Sequence, residues 1–68
     1  MFKISLKAAR TNAGYSQKEA AKKLNISNTT LCRWEKGTAF PDARQIDQLC
    51  ELYRVSYDNL NFLPDNSL

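Results

Sequence analysis

Apolar residues recur along this chain at intervals of three and four, separated by short polar breaks, and that rhythm predicts a series of short helices. Leu6, Ala9 and Ala13 set a first helix from Ser5 to about Asn12, with Arg10 at the edge of its apolar face and Lys3 and Lys7 nearer solvent. Ala21 and Leu24 mark a second, Leu31 and Trp34 a third, and Ile26 lies in the connection between these two. Ile46, Leu49, Cys50 and Tyr53 repeat on a fourth. Val55 to Asp58 opens a short fifth helix with Ser56 as its cap, Leu60 returns to the core, and Pro64 stops the helix. The expected fold is all-α, a compact five-helix bundle in one domain over residues 1–64, with residues 65–68 a tail.

The polar breaks carry the start and stop signals. Ser16 and Glu19 are spaced as a capping box, and so are Asp42 and Gln45. Ser27 is placed to cap the third helix. Asn25, Gly14 and Gly37 tolerate the left-handed conformation that ends helices. Tyr15, just before Ser16, is placed as a hydrophobic staple. Residues 16–37, SQKEAAKKLNISNTTLCRWEKG, therefore read as two helices crossing at the small Ala21.

These residues resemble a known family. Ser16-Gln17, Ala21, Leu24, Ile26-Ser27, Thr30-Leu31, Arg33-Trp34-Glu35-Lys36-Gly37 and Pro41 look like the helix-turn-helix of the phage repressor and Cro family, also called the XRE family. The likeness runs from about Leu6 to Leu60, with Asn25 where the family usually has Gly and Ala20 where a larger apolar residue is common. It implies a lambda-repressor-like domain that binds double-stranded DNA as a homodimer on a near-palindromic operator and regulates transcription, as a repressor. It also implies an ion pair between Arg10 and Glu35, which is expected to be partly buried.

The third helix offers a reading surface opposite Leu31 and Trp34. Asn28 suits adenine, Arg33 suits guanine bidentately, and the methyl of Thr29 suits the thymine methyl, so these three are the base-contact candidates. Ser27 and Thr30 serve the caps and the phosphates. Gln17, at the start of the second helix, meets a phosphate by resemblance to the family, where free N–H groups and the helix dipole favour an anion. The family's loop after the recognition helix runs along the DNA backbone, which makes Lys36 and Thr38 phosphate candidates. Arg44 in the first turn of the fourth helix is a further one.

Charge supports a polyanionic partner through its distribution more than its total of +3. Residues 1–44 hold nine Lys or Arg against three Asp or Glu, whereas the remainder holds one against four. Two Cys and no His give neither a disulfide framework nor a metal site. Cys32 beside the reading surface is expected to be an inert thiol, and Cys50 a small core residue. With no metal set, nucleotide-binding Gly loop or nucleophile-base pair, an enzyme, a cofactor or a small-molecule ligand is not expected. No apolar run suits a membrane or a signal region, so a reduced, cytoplasmic protein is expected. Tyr57, Leu60, Phe62 and Leu63 near the acidic end form a candidate dimer patch. The same patch suits a rival reading, a protein-interaction module of antirepressor or antitoxin type.

Overall fold

A computed structural model describes residues 3–62. Four α-helices form the body: α1 (Leu6–Asn12), α2 (Gln17–Leu24), α3 (Asn28–Lys36) and α4 (Ala43–Tyr53). Their starts follow the local chemistry. Ser5, Ser16, Ser27 and Asp42 all sit in extended backbone and accept an N–H from three residues on, and complete capping boxes form at Ser16/Glu19 and Asp42/Gln45. Each box satisfies two N–H groups that a helix start would otherwise leave without a partner.

All four helices also end in one way. Gly14, Asn25, Gly37 and Arg54 adopt positive φ, between 59° and 88°. Beyond each, an N–H reaches back five residues: Tyr15 to Arg10, Ile26 to Ala21, Thr38 to Arg33 and Val55 to Cys50, at 3.0–3.2 Å. This is the bond of the Schellman motif, and three of the four residues that make it are apolar groups packed against the core. Each such stop turns the chain sharply, so short helices can pack crosswise around one centre.

That centre consists of Leu6, Ala9, Ala20, Ala21, Leu24, Leu31, Trp34, Leu49, Tyr53 and Leu60. Leu31 and Leu49 are completely enclosed. Ala20 is buried too, so the small residue at this position lies in close packing. Tyr15 packs its ring against Tyr53 of α4, with centroids 6.5 Å apart, so the residue before the Ser16 cap ties α2's start to α4.

The expected fifth helix does not form. Tyr57–Asn59 make a single 3₁₀ turn, and the Ser56 side chain makes no cap bond. The chain then becomes extended: Leu60–Asn61 (β2) pair in parallel with Ile4–Ser5 (β1), Ile4 opposite Leu60 and Ser5 opposite Asn61. Pairing with a segment more than fifty residues away competes with helix here and prevails, because a turn rich in Ser, Asp and Asn has little helical preference of its own. Ile4–Ser5, just ahead of α1, thus contribute a strand. Helices still make up the body, and the two short strands pack beside α1.

Candidate nucleic-acid interface

α2 and α3 pack together through Ala21, Leu24, Leu31 and Trp34, with Asn25 supplying the left-handed turn between them. The pose of α3 is fixed at both ends. At its start, Ser27 Oγ accepts the Thr30 N–H at 3.0 Å and lies 2.8 Å from Thr30 Oγ1. Toward its end, Glu35 is held by α1 and α2.

The Glu35 carboxylate accepts three hydrogen bonds. Arg10 donates Nε–H to Oε2 at 2.8 Å and an Nη2 hydrogen to Oε1 at 3.3 Å, while Gln17 donates Nε2–H to Oε1 at 3.0 Å. Arg10 also donates through Nη1 to the Tyr15 carbonyl at 3.1 Å. The Arg10 and Glu35 side chains are only 11% and 7% exposed, so the expected ion pair is buried. The clamp joins α1, the loop before α2, the first residue of α2 and α3.

With α3 oriented in this way, the three base-contact candidates share its solvent side. Asn28, Thr29 and Arg33 are exposed, and no hydrogen bond or ion pair ties their side chains to other described residues. Lys36 continues the same stripe and is exposed. These groups keep all their donors and acceptors for an external partner. A fixed helix presenting unspent polar groups is the arrangement that base-edge recognition requires.

The phosphate candidates differ from one another. Arg44 is exposed at the start of α4 and faces a groove shared with Ile26 and Asp42. Ser27 and Thr30 share one hydroxyl proton between them, which leaves the other to donate outward. Gln17 has one amide hydrogen committed to Glu35. Thr38 is exposed and is tied to the helix end, its N–H and its hydroxyl both donating to the Arg33 carbonyl, at 3.0 and 3.3 Å. It caps the end of α3.

The candidate dimer patch is also only partly at the surface. Tyr57 is 60% exposed and its ring lies 6.1 Å from that of half-buried Phe62. Leu60 is 3% exposed and belongs to the core, because its pairing with Ile4 turns its side chain inward. Leu63 lies outside the described residues. Phe40, in the loop between α3 and α4, is a second exposed aromatic group that the sequence pattern did not single out.

Among titratable groups, the hydrogen bond from the Ser16 N–H is the main cause holding Glu19 below its ordinary pKa. Burial pushes the Cys50 thiol up, with Asp47 adding to the shift. Burial also pushes Tyr53 up to about 12, against an ordinary value of 10.0, with Glu35 adding to the rise and Arg10 opposing it. Its hydroxyl is buried and has no hydrogen-bond partner among the described residues. Among the described residues no His, Cys, Asp and Glu side chains gather as a metal-binding group, and no helix is long and apolar enough to cross a membrane.

Comparison with known proteins agrees with this geometry. The family model described as Helix-turn-helix matches residues 6–60. The HTH-type transcriptional regulator ImmR of Bacillus subtilis is 51% identical over 55 residues, which cover 81% of this chain and 43% of ImmR. The SPbeta prophage-derived HTH-type transcriptional regulator YonR of the same organism is 38% identical over 60 residues, covering 88% of this chain and 56% of YonR. The HTH-type transcriptional activator BcrR of Enterococcus faecalis is 27% identical over 59 residues, or 87% of this chain and 29% of BcrR. The chain thus spans between about a third and just over half of these curated relatives.

Proposed function

The chain belongs to this helix-turn-helix family, and from that premise we propose that it is a sequence-specific, double-stranded DNA-binding regulator of transcription. The observation that carries the reading is the outer face of α3. Asn28, Thr29 and Arg33 stand exposed with their hydrogen-bonding capacity unspent, on a helix capped by Ser27 and clamped through Glu35. Asn28 and Arg33 read adenine and guanine edges in the major groove, Thr29 contacts the thymine methyl, and Ser27, Thr30, Gln17, Lys36 and Arg44 hold the backbone. Each bidentate base contact is worth about 1–3 kcal/mol of discrimination.

In this reading the protein acts as a homodimer on a near-palindromic site, with half-sites about 34 Å apart, one helical turn of DNA. The exposed Tyr57 ring with its Phe62 neighbour supports the self-contact. Repression needs nothing beyond occupancy of the operator, which is why it is preferred to activation. Selection of duplexes retained from a random DNA pool tests the proposal. Enrichment of an inverted repeat spaced by one turn is the expected result; a folded protein that enriches no sequence would overturn it.

A further inference from the structure

Two depressions adjoin on the side of the molecule formed by α2 and the end of α4. One, of about 430 Å³, lies between Lys23 and Leu24 of α2 and Glu51, Leu52 and Arg54 at the end of α4. The other, of about 350 Å³, is bounded by Glu19, Lys22 and Lys23 of α2. Tyr15 and Lys23 line both, so the two form one trough. Its floor is apolar and fixed: Leu24 is buried, Leu52 and Tyr15 are half-buried, and the Tyr15 ring is backed by that of Tyr53 at 6.5 Å. No residue of α3 lines it, and none of the groups assigned to DNA does.

The rim of the trough is basic. Lys22, Lys23 and Arg54 are exposed and make no ion pair or side-chain hydrogen bond with other described residues. Of the two carboxylates at the rim, Glu19 is tied into the α2 capping box, accepting the Ser16 N–H at 2.8 Å, which leaves Glu51 as the untied one. Three free cations against one free carboxylate favour an acidic ligand. Arg54 adds a second mark. It holds φ 59°, a strain that glycine would avoid, yet it carries the side chain best suited to a bidentate contact with a carboxylate.

We propose that this trough docks an acidic segment of a partner protein, which places an apolar side chain on Tyr15, Leu24 and Leu52, one carboxylate on Arg54 and another on Lys22 and Lys23. Two adjoining depressions suit successive side chains of a peptide, and an apolar floor within a polar rim is the make-up of a protein interface. The lysine stems extend the apolar floor while their ammonium groups stay in water. The proposal goes beyond the DNA-binding reading and does not rest on it. Because the trough is separate from the outer face of α3, the partner docks without competing for that face.

The test uses the full chain and a displayed library of random peptides. Selection on the wild type is expected to enrich peptides with Asp or Glu on either side of a Leu, Phe or Trp. The affinity of an enriched peptide, followed by fluorescence anisotropy, is expected to fall about tenfold for Arg54→Gly. That variant relieves the strained turn, so the loss of binding is not a loss of fold. Lys18→Gln, which removes an exposed charge of α2 that does not line the trough, leaves the affinity unchanged. A mixed-sequence duplex added in excess leaves the peptide bound.

Enrichment of no peptide, or of peptides without carboxylates, would overturn the proposal. Equal losses for Arg54→Gly and Lys18→Gln would overturn it in favour of a diffuse basic field. Displacement of the peptide by duplex would assign the face to DNA instead. Self-association of the wild type in sedimentation that Arg54→Gly abolishes would assign it to a second copy. A chain that binds the peptide but no duplex loses the DNA-binding reading and keeps this docking site, and one that binds duplex but no peptide does the reverse.

Discussion

Replacing Arg10 with Ala removes one side of the clamp and leaves the Glu35 carboxylate in its buried position with Gln17 as its remaining donor. Loss of one partner from a buried, hydrogen-bonded pair costs about 3–5 kcal/mol, most of it the penalty of an uncompensated buried charge. The bond from Arg10 to the Tyr15 carbonyl is lost too, and a hydrogen bond from a charged donor adds roughly 1.5 kcal/mol or more. Relaxation of Glu35 toward water offsets part of this. A net loss of about 3–4 kcal/mol is the expectation from these terms. At ordinary stabilities per residue, a 68-residue chain has roughly 3–10 kcal/mol in all, so the substitution should bring the domain close to unfolding.

Urea melts followed by circular dichroism measure the loss, and Glu35→Gln provides a milder variant that keeps the shape of the side chain. The paired replacement Arg10→Met with Glu35→Leu recovers most of the loss, because no charge is then left buried. A loss of less than about 1 kcal/mol for Arg10→Ala, or one that vanishes in high salt, is the behaviour of an exposed pair and would refute the reasoning.

Smaller effects follow from the other contacts. Ser16→Ala, which removes the hydroxyl from a complete capping box, should cost roughly 1 kcal/mol in the same melts. Arg54→Gly should stabilise by about 1 kcal/mol, because Arg54 is strained at φ 59° where glycine is free of that penalty; a lower midpoint would refute this. Tyr53 holds its proton up to about 12 in the folded state, so unfolded chains ionise first and stability falls as pH rises from about 10 through 12. Tyr53→Phe should flatten that alkaline decline and change stability little at neutral pH, since the hydroxyl has no partner to lose. Arg33→Ala should leave the fold intact and relax base preference at one operator position.

The helix starts were legible because a capping box is contained in four residues. Ser16/Glu19 and Asp42/Gln45 need no knowledge of the rest of the chain to form. Three of the four helix ends were legible for the same reason, since Gly14, Asn25 and Gly37 accept positive φ by their own chemistry. Arg54 was not: its left-handed turn is imposed by Val55, whose N–H returns to Cys50 and whose side chain packs against the core. The fifth helix was misread for a related reason, as only the fold brings Ile4 beside Leu60. At the interface, residue types pointed to Asn28, Thr29 and Arg33. That Thr38 spends both its protons on the Arg33 carbonyl depends on a bond geometry the sequence does not display.

The clamp also couples stability to recognition. Gln17, a proposed phosphate contact, shares the Oε1 atom of Glu35 with Arg10. Thr38 fixes the end of α3 through the carbonyl of Arg33, a proposed base contact. The groups that hold α3 in place are therefore bonded to groups proposed to meet DNA, or lie one helical turn from them. A substitution at the clamp that still folds would shift α3 and Gln17, the proposed reading helix and phosphate contact, together, and a displacement of about 1 Å is enough to spoil paired donor and acceptor geometry. Arg10 variants that remain folded in stabilising buffer should for this reason lose operator affinity, although Arg10 itself is buried with its donors turned to Glu35 and Tyr15.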